Sequence, residues 1–319
     1  MKVGKTTRAM VALALAGAAL SACDGGASCV RDTDCGAAQV CDQPGGGGTC
    51  VGAATSGRSA LDEASIPAGQ FLMGCDPAGD ADCAQTESPP HVVTTAAYRI
   101  DRREVTASDF ASFLRAEGNV CGAAPCVKTA FVDPPVEEAG GRWQAKAGRE
   151  LRPVVEVTWY GAQTYCAWRG QRLCAEAEWE KAARGGCELA GGDCTAGARV
   201  YPWGGAAADC SRAVMTEIAT DPVGCGTGDT LDVGSKPAGA SPYGVMDMAG
   251  NAWEWVQDCW HGGFDGAPTD GSAWEDQASC LRVYRGGGAD SIQEFVRATH
   301  RWNGGQGDAA TFRGFRCCR

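Results

Sequence analysis

Nineteen cysteines in a chain of 319 residues, many of them close together on glycine-rich stretches, limit what this chain can fold into. Such a density suits an oxidising compartment, where disulfides form and persist. Cys75 and Cys83, Cys121 and Cys126, Cys187 and Cys194, Cys210 and Cys225, and Cys259 and Cys280 lie near one another along loop-like sequence. Forty-six glycines imply much irregular backbone, which needs covalent staples. Structural zinc is the competing use of clustered thiols. No Cys-x-x-Cys spacing recurs, however, and the chain has three histidines, so disulfides are the better reading.

The first residues carry Lys2, Lys5 and Arg8, then an apolar run from Ala9 to Leu20, then Leu20-Ser-Ala-Cys23. That order is a secretory leader over residues 1–22, and its run is shorter than the roughly 20 residues a spanning helix needs. Leu-Ser-Ala-Cys resembles the lipobox of bacterial lipoproteins, in which the cysteine becomes the acylated first residue of the mature chain. The expectation is a protein anchored to a bacterial membrane through lipid on Cys23, in the cell envelope, facing the periplasm or the cell surface. The formal charge is −11, and about −14 without the leader's three cations. An acidic chain repels phosphate backbones, so nucleic acid is excluded as a partner.

Residues 23–50 form a small Cys-rich segment containing Cys29, Cys35, Cys41 and Cys50. It cannot bury a core of its own, so two disulfides of open connectivity would hold it. Residues 51–64 read as a flexible linker of Gly, Ala, Ser and Thr. Residues 65–319 then make one domain that contains all ten tryptophans. Three helices are expected: from Thr106 to Gly118, with an apolar stripe of Phe110, Phe113 and Leu114; from Thr158 to Gly170; and from about Ala175 to Arg184. Short strand-like runs such as Gln70–Met73 and Val154–Val157 fill much of the rest, so the fold class is α+β.

A series of motifs follows in order: Ile66-Pro-Ala-Gly-Gln-Phe-Leu-Met-Gly74, Glu87-Ser-Pro-Pro-His91, Ile100-Asp-Arg-Arg-Glu-Val-Thr106, Arg172-Leu-Cys-Ala-Glu-Ala-Glu-Trp-Glu180, Tyr201-Pro-Trp-Gly204, Gly244-Val-Met-Asp-Met-Ala-Gly-Asn-Ala-Trp-Glu-Trp255, Arg285-Gly-Gly287 and Arg313-Gly-Phe-Arg316. Each is weak alone. In this order they resemble the formylglycine-generating, or sulfatase-modifying factor, family over residues 65–319. The resemblance implies a disulfide-rich α+β fold of low regular content, related to C-type lectin-like domains.

It also implies a calcium site with carboxylates from Asp247 and Glu254 and main-chain carbonyls from Gly250 and Ala252. Calcium takes six to eight hard oxygens, and two anions offset its charge. A second family calcium site falls at Val214, whose side chain offers no ligand. The family's oxidases hold copper(I) with two thiols placed after the Arg-Gly-Gly, but residues 281–316 contain no cysteine, so copper is not expected.

Further disulfides follow from the same comparison: Cys166 with Cys317, and then Cys174, which replaces the family's proline, with Cys318. Ala183 and Ala298 stand where the family has another bonded pair. Trp253, Arg285 and Arg301 match positions near the family's substrate groove. His91, His261 and His300 are scattered, with a structural hydrogen bond expected for His91. The functional expectation is a tethered protein that binds a peptide or glycan ligand or acts as a scaffold. The alternative is an enzyme of the formylglycine-generating oxidase type, or a divergent oxidoreductase, using the same groove.

Overall fold

The computed structural model describes Met1, the backbone of residues 28–29, 39–41 and 48–52, and residues 62–130, 134–195, 199–218, 221–276 and 279–319 in full. The leader beyond Met1, Cys23, Cys35 and most of the linker lie outside the described residues, as do the thiols of Cys29, Cys41 and Cys50. Chain order runs β1 (Ser28–Cys29), β2 (Gln39–Cys41), β3 (Gly48–Gly52), β4 (Glu63–Ile66), β5 (Gly69–Met73), β6 (His91–Thr95), β7 (Tyr98–Asp101), α1 (Ala107–Glu117), β8 (Val136–Ala139), β9 (Arg142–Ala145) and α2 (Trp159–Trp168). It continues with β10 (Arg172–Leu173), α3 (Glu176–Arg184), β11 (Trp253–Cys259), β12 (Arg282–Arg285), β13 (Arg301–Gly304), β14 (Arg313–Phe315) and β15 (Cys317–Cys318). Among the described residues loops outweigh helix and strand, and the disulfides matter accordingly.

The helix boundaries follow from their caps. Thr106 Oγ1 accepts from Asp109 N at 3.1 Å to start α1, and Gly118 ends it at φ 79°. Thr158 Oγ1 accepts from Gly161 N at 3.0 Å to start α2. Gly161 is required there, because a Cβ would stand 2.1 Å from the Cys126 carbonyl oxygen. Ala175, before α3, has no acceptor side chain. Glu178 supplies the reciprocal half of a capping box, accepting from Ala175 N at 2.9 Å, and Asp258 of β11 accepts from Glu176 N at 2.6 Å.

Two four-stranded sheets organise the domain. One has the order β10-β15-β7-β4, all antiparallel; the other is β13-β12-β11-β14, with β11 and β14 parallel. β5 and β6 form a separate hairpin, as do β8 and β9, while β1-β3-β2 make a small three-stranded sheet. Val154–Val157 is not a strand. Pro153 and Val157 make single bridges to Thr106 and Val127, and Glu156 at φ 64° breaks the extended run.

The core under α1 and α2 is aromatic. Phe110, Phe113, Tyr165 and Phe315 have ring centroids 5.2–5.9 Å apart. Ala183 and Ala298 are both fully buried in a second cluster around Trp179 and Val256, so apolar packing occupies that position. Cys166–Cys317 ties α2 to β15 and Cys174–Cys318 ties the start of α3 to the same strand. The other described bridges are Cys75–Cys83, Cys121–Cys126, Cys187–Cys194, Cys210–Cys225 and Cys259–Cys280. No helix among the described residues is long and apolar enough to cross a membrane.

Candidate functional site

The Arg172-to-Glu180 motif is explained by ion pairs, buried at Glu176 and Glu180 and half-exposed at Arg172. Glu176 accepts two 2.7 Å bonds from Arg301, Glu178 accepts bonds of 2.6 and 2.7 Å from Arg172, and Glu180 accepts from Arg285 at 2.5 Å and Arg184 at 2.9 Å. Arg285 also donates to the carbonyls of Ala298, Thr299 and His300. Arg285 and Arg301 are 0% and 1% exposed. The structure therefore corrects the groove assignment for both. Their guanidiniums are consumed in pinning α3 to β12 and β13, and Trp253 alone of that trio faces a cavity.

The turn expected to hold calcium is tight. Asp247 (φ 58°), Gly250 (φ 79°) and Asn251 (φ 63°) are all left-handed, and the two non-glycines tolerate this because short polar side chains bond locally. Asp247 Oδ2 accepts from Gly234 N at 2.5 Å, and the Asp247 charge acts on the nearby Glu104. Glu104 accepts from Asn251 Nδ2 at 3.1 Å and Ala252 N at 3.2 Å.

Glu254, expected as the second carboxylate ligand, is engaged elsewhere. Arg316 takes both its oxygens at 2.7 Å, and Trp179 Nε1 donates to Oε2 at 2.7 Å. Burial pushes the Glu104 carboxyl well above the usual range, and the Asp247 and Glu254 charges add to this. Asp247 is raised too, by burial first. Three buried carboxylates against the one guanidinium of Arg316 leave two negative charges for protons or a divalent cation to offset. The donor set thus fits a hard cation between Asp247 and Glu104, beside the Gly250–Ala252 main chain. Glu104 was missed in the sequence because it lies over a hundred residues from the turn, although the motif through Thr106 contains it.

A cavity of about 380 Å³ opens beside β11, lined by Trp253, Tyr284, Asp290, Phe295, His300, Trp302 and neighbours in 310–313. Trp253 meets Tyr284 edge-on at 5.2 Å and lies 5.8 Å from His300. His300 Nδ1 is 3.2 Å from Glu87 Oε1, and its Nε2 has no hydrogen-bond partner. Arg297 binds both Glu87 oxygens at 2.8 Å, and its Nη1 also reaches Asp80 at 2.9 Å. Burial alone would push Glu87 up, but the bonds from His300 and Arg297 outweigh it and hold the carboxyl at about 2.

The three histidines do not converge. His91 Nδ1 sits 3.2 Å from the Pro89 carbonyl, and His261 stacks on Trp274 at 3.5 Å. Another hollow, of about 480 Å³ beside Arg172 and Gln257, has those groups already paired with Glu178 and Glu275. Cys75, Asp80 and Cys83 bring three ligand-type atoms together, but both thiols are spent in a disulfide.

Comparison with known proteins places this geometry. The model of the sulfatase-modifying factor enzyme 1-like domain matches residues 52–319. The chain is 32% identical to a formylglycine-generating enzyme of Thermomonospora curvata, covering 79% of this chain and 91% of that protein. It is also 32% identical to the inactive C-alpha-formylglycine-generating enzyme 2 of Mus musculus, covering 79% and 83%. It matches the serine/threonine-protein kinase pkn1 of Chlamydia pneumoniae at 33% identity over 80% of this chain but spans only 37% of that protein's length. Among solved structures, PvdO from Pseudomonas aeruginosa superposes with a TM-score of 0.62 at 31% identity, covering 81% of this chain and 93% of PvdO.

Proposed function

Because the chain belongs to the sulfatase-modifying factor enzyme 1-like domain family, we propose that it is a lipid-anchored member that binds a ligand and does not carry out copper-dependent oxidation. The observation that carries this reading is the composition of the cavity at Trp253. Its walls are aromatic and its polar residues include His300, Asp290, Thr311 and Arg313, with no cysteine or methionine in the lining. Every cysteine from Cys75 to Cys318 is in a disulfide, so none of them offers the thiolate that copper(I) prefers. Leu20-Ser-Ala-Cys23 supports the tether, and acylation at Cys23 would display the domain in the envelope. Palmitate-analogue labelling that disappears in Cys23→Ala tests that part.

Calcium is proposed as a structural ion held by Asp247 and Glu104 with the carbonyls of Gly250 and Ala252. It would neutralise the buried acids and brace the turn that leads into β11.

The experiment for the main reading supplies a Cys-x-Pro-x-Arg peptide, copper(I) and oxygen to the full chain and measures aldehyde formation and binding. The expected result is no aldehyde, with saturable ligand binding that Trp253→Ala removes. Copper-dependent aldehyde would establish the oxidase alternative and overturn the reading.

A further inference from the structure

We infer that the hollow at Trp253 takes the head of a quaternary ammonium, a cation whose charge is spread over methyl groups, with Asp290 as its counter-charge. The assignment rests on the binding role proposed above and narrows its ligand class.

What a ligand meets here is mostly ring. Trp253, Tyr284, Phe295, Trp302 and Phe312 line the space, and Trp302 and Phe295 remain 52% and 39% exposed at its mouth. The nitrogens that lack protein partners are sealed from it: His300 Nε2 lies below the surface, and Arg313 Nε and Nη1 are closed off where the guanidinium packs over Tyr284 at 4.0 Å and Trp255 at 4.6 Å. The volume of about 380 Å³ is at the small-ligand end of the usual range of roughly 300–1,000 Å³.

Asp290 supplies the charge. Its Oδ1 converges with Trp253 Cδ1 and Phe312 Cβ beside Gly288, where an added Cβ would stand 2.9 Å from each of the three. Ser291 Oγ donates to that oxygen at a long 3.5 Å, while the neighbouring Arg297 is spent on Glu87 and Asp80. The charges behind the rings have the same sign. Asp80 and Glu87 share Arg297, and the Asp308 charge acts on Arg313, so with Asp290 four carboxylates face two guanidiniums and leave two negative charges before any proton on His300 is counted. That balance, on a chain of charge −11, favours a cation and opposes a carboxylate or phosphate.

Hydrogen-bond count then decides among cations. Asp290 and Thr311 are the exposed polar side chains of the lining. A primary ammonium brings three N–H donors and a guanidinium five, so either would give up water bonds that two acceptors replace only in part. A quaternary ammonium has no N–H to satisfy. Its methyl groups rest against the negative faces of aromatic rings, an attraction of about 0.5–2 kcal/mol per ring that grows as water is excluded.

The test applies calorimetry and tryptophan fluorescence to the full chain. The probes are choline and tetramethylammonium, with 3,3-dimethylbutanol as the neutral isostere of choline and n-propylammonium and n-propylguanidinium as the other cations. The expected result is saturable millimolar binding of choline, about tenfold or more tighter than its isostere and than either N–H cation. Trp302→Ala and Asp290→Asn, both at exposed positions that do not threaten folding, should each weaken it about threefold or more, and Asp290→Asn should also flatten its dependence on salt. Phosphatidylcholine vesicles, sedimented with the Cys23→Ala chain so that no acyl group inserts, identify the source: capture that choline displaces means a lipid head, and no capture means a free solute. Equal binding of the isostere, or tighter binding of an N–H cation, overturns the assignment and leaves the binding role standing. Choline binding indifferent to both substitutions lies elsewhere and also overturns it. If no probe binds, the assignment falls, and the binding role then rests on the peptide experiment above.

Discussion

Glu254 and Arg316 face each other through two hydrogen bonds of 2.7 Å, with both side chains wholly buried. A carboxylate so placed is part of the interior's charge balance, and removing it strands a guanidinium. Glu254→Gln should therefore destabilise the protein by about 3–5 kcal/mol, the usual cost of breaking a buried pair from one side. Because this role needs no metal, the loss should be the same in calcium and in EGTA. Urea unfolding in both conditions measures it, and a loss confined to calcium would restore Glu254 as a ligand.

Asp247 and Glu104 should behave in the opposite way. Calcium that binds only the folded chain stabilises it by about 2.7 kcal/mol at a hundredfold excess over its Kd. Calorimetry should show wild-type Tm rising with calcium and falling with EGTA, while Asp247→Asn and Glu104→Gln lose that response. Retention of the full calcium shift in both variants would place the ion elsewhere.

Glu87 sets the acid limb of stability. Its carboxyl is at about 2 in the folded chain against an ordinary value of 4.5, so the unfolded chain binds more protons between these values. Its contribution, on the order of 3 kcal/mol, is complete above pH 4.5 and disappears as the pH falls toward 2. Asp101, raised to about 6 by burial, and Asp258, raised to about 7 by burial and the nearby Glu176, act in the other sense. What they contribute is complete below 3.8 and fades as the pH rises through 6 to 7. Melting temperatures across this range should show Glu87→Gln less stable near neutral pH and without the wild type's steep acid decline.

The three helices were legible because their signals are local: Thr106, Thr158, Gly118 and Gly185 mark ends that propensity and capping also choose. Val154–Val157 misled because an apolar run with β-branched residues reads as strand, while the left-handed Glu156 is set by distant packing. The site was legible in part. Trp253 lines a cavity and Asp247 stands in the tight turn before β11, but Arg285, Arg301 and Glu254 had chemistry that reads alike on a groove or in a core. Only their partners across the fold, Glu180, Glu176 and Arg316, decide between those roles. Glu87 and His300 are 213 residues apart, and no sequence spacing joins them.

The disulfides should rank by the length of chain they close. Cys166–Cys317 spans 151 residues and Cys121–Cys126 spans 5. Cys174–Cys318 joins the same two segments, so the loop-entropy relation gives about 5 kcal/mol or more only when both long-range bridges are removed, against about 2 kcal/mol for Cys121–Cys126. Cys317 also sits in the core with Phe110, Tyr165 and Phe315, so its bridge holds the last strand against α2. A variant with Cys166→Ala, Cys174→Ala, Cys317→Ala and Cys318→Ala should therefore lose more than twice the stability lost by Cys121→Ala/Cys126→Ala in guanidinium unfolding. Equal losses would mean that native packing already holds β15, with the unfolded chain contributing little.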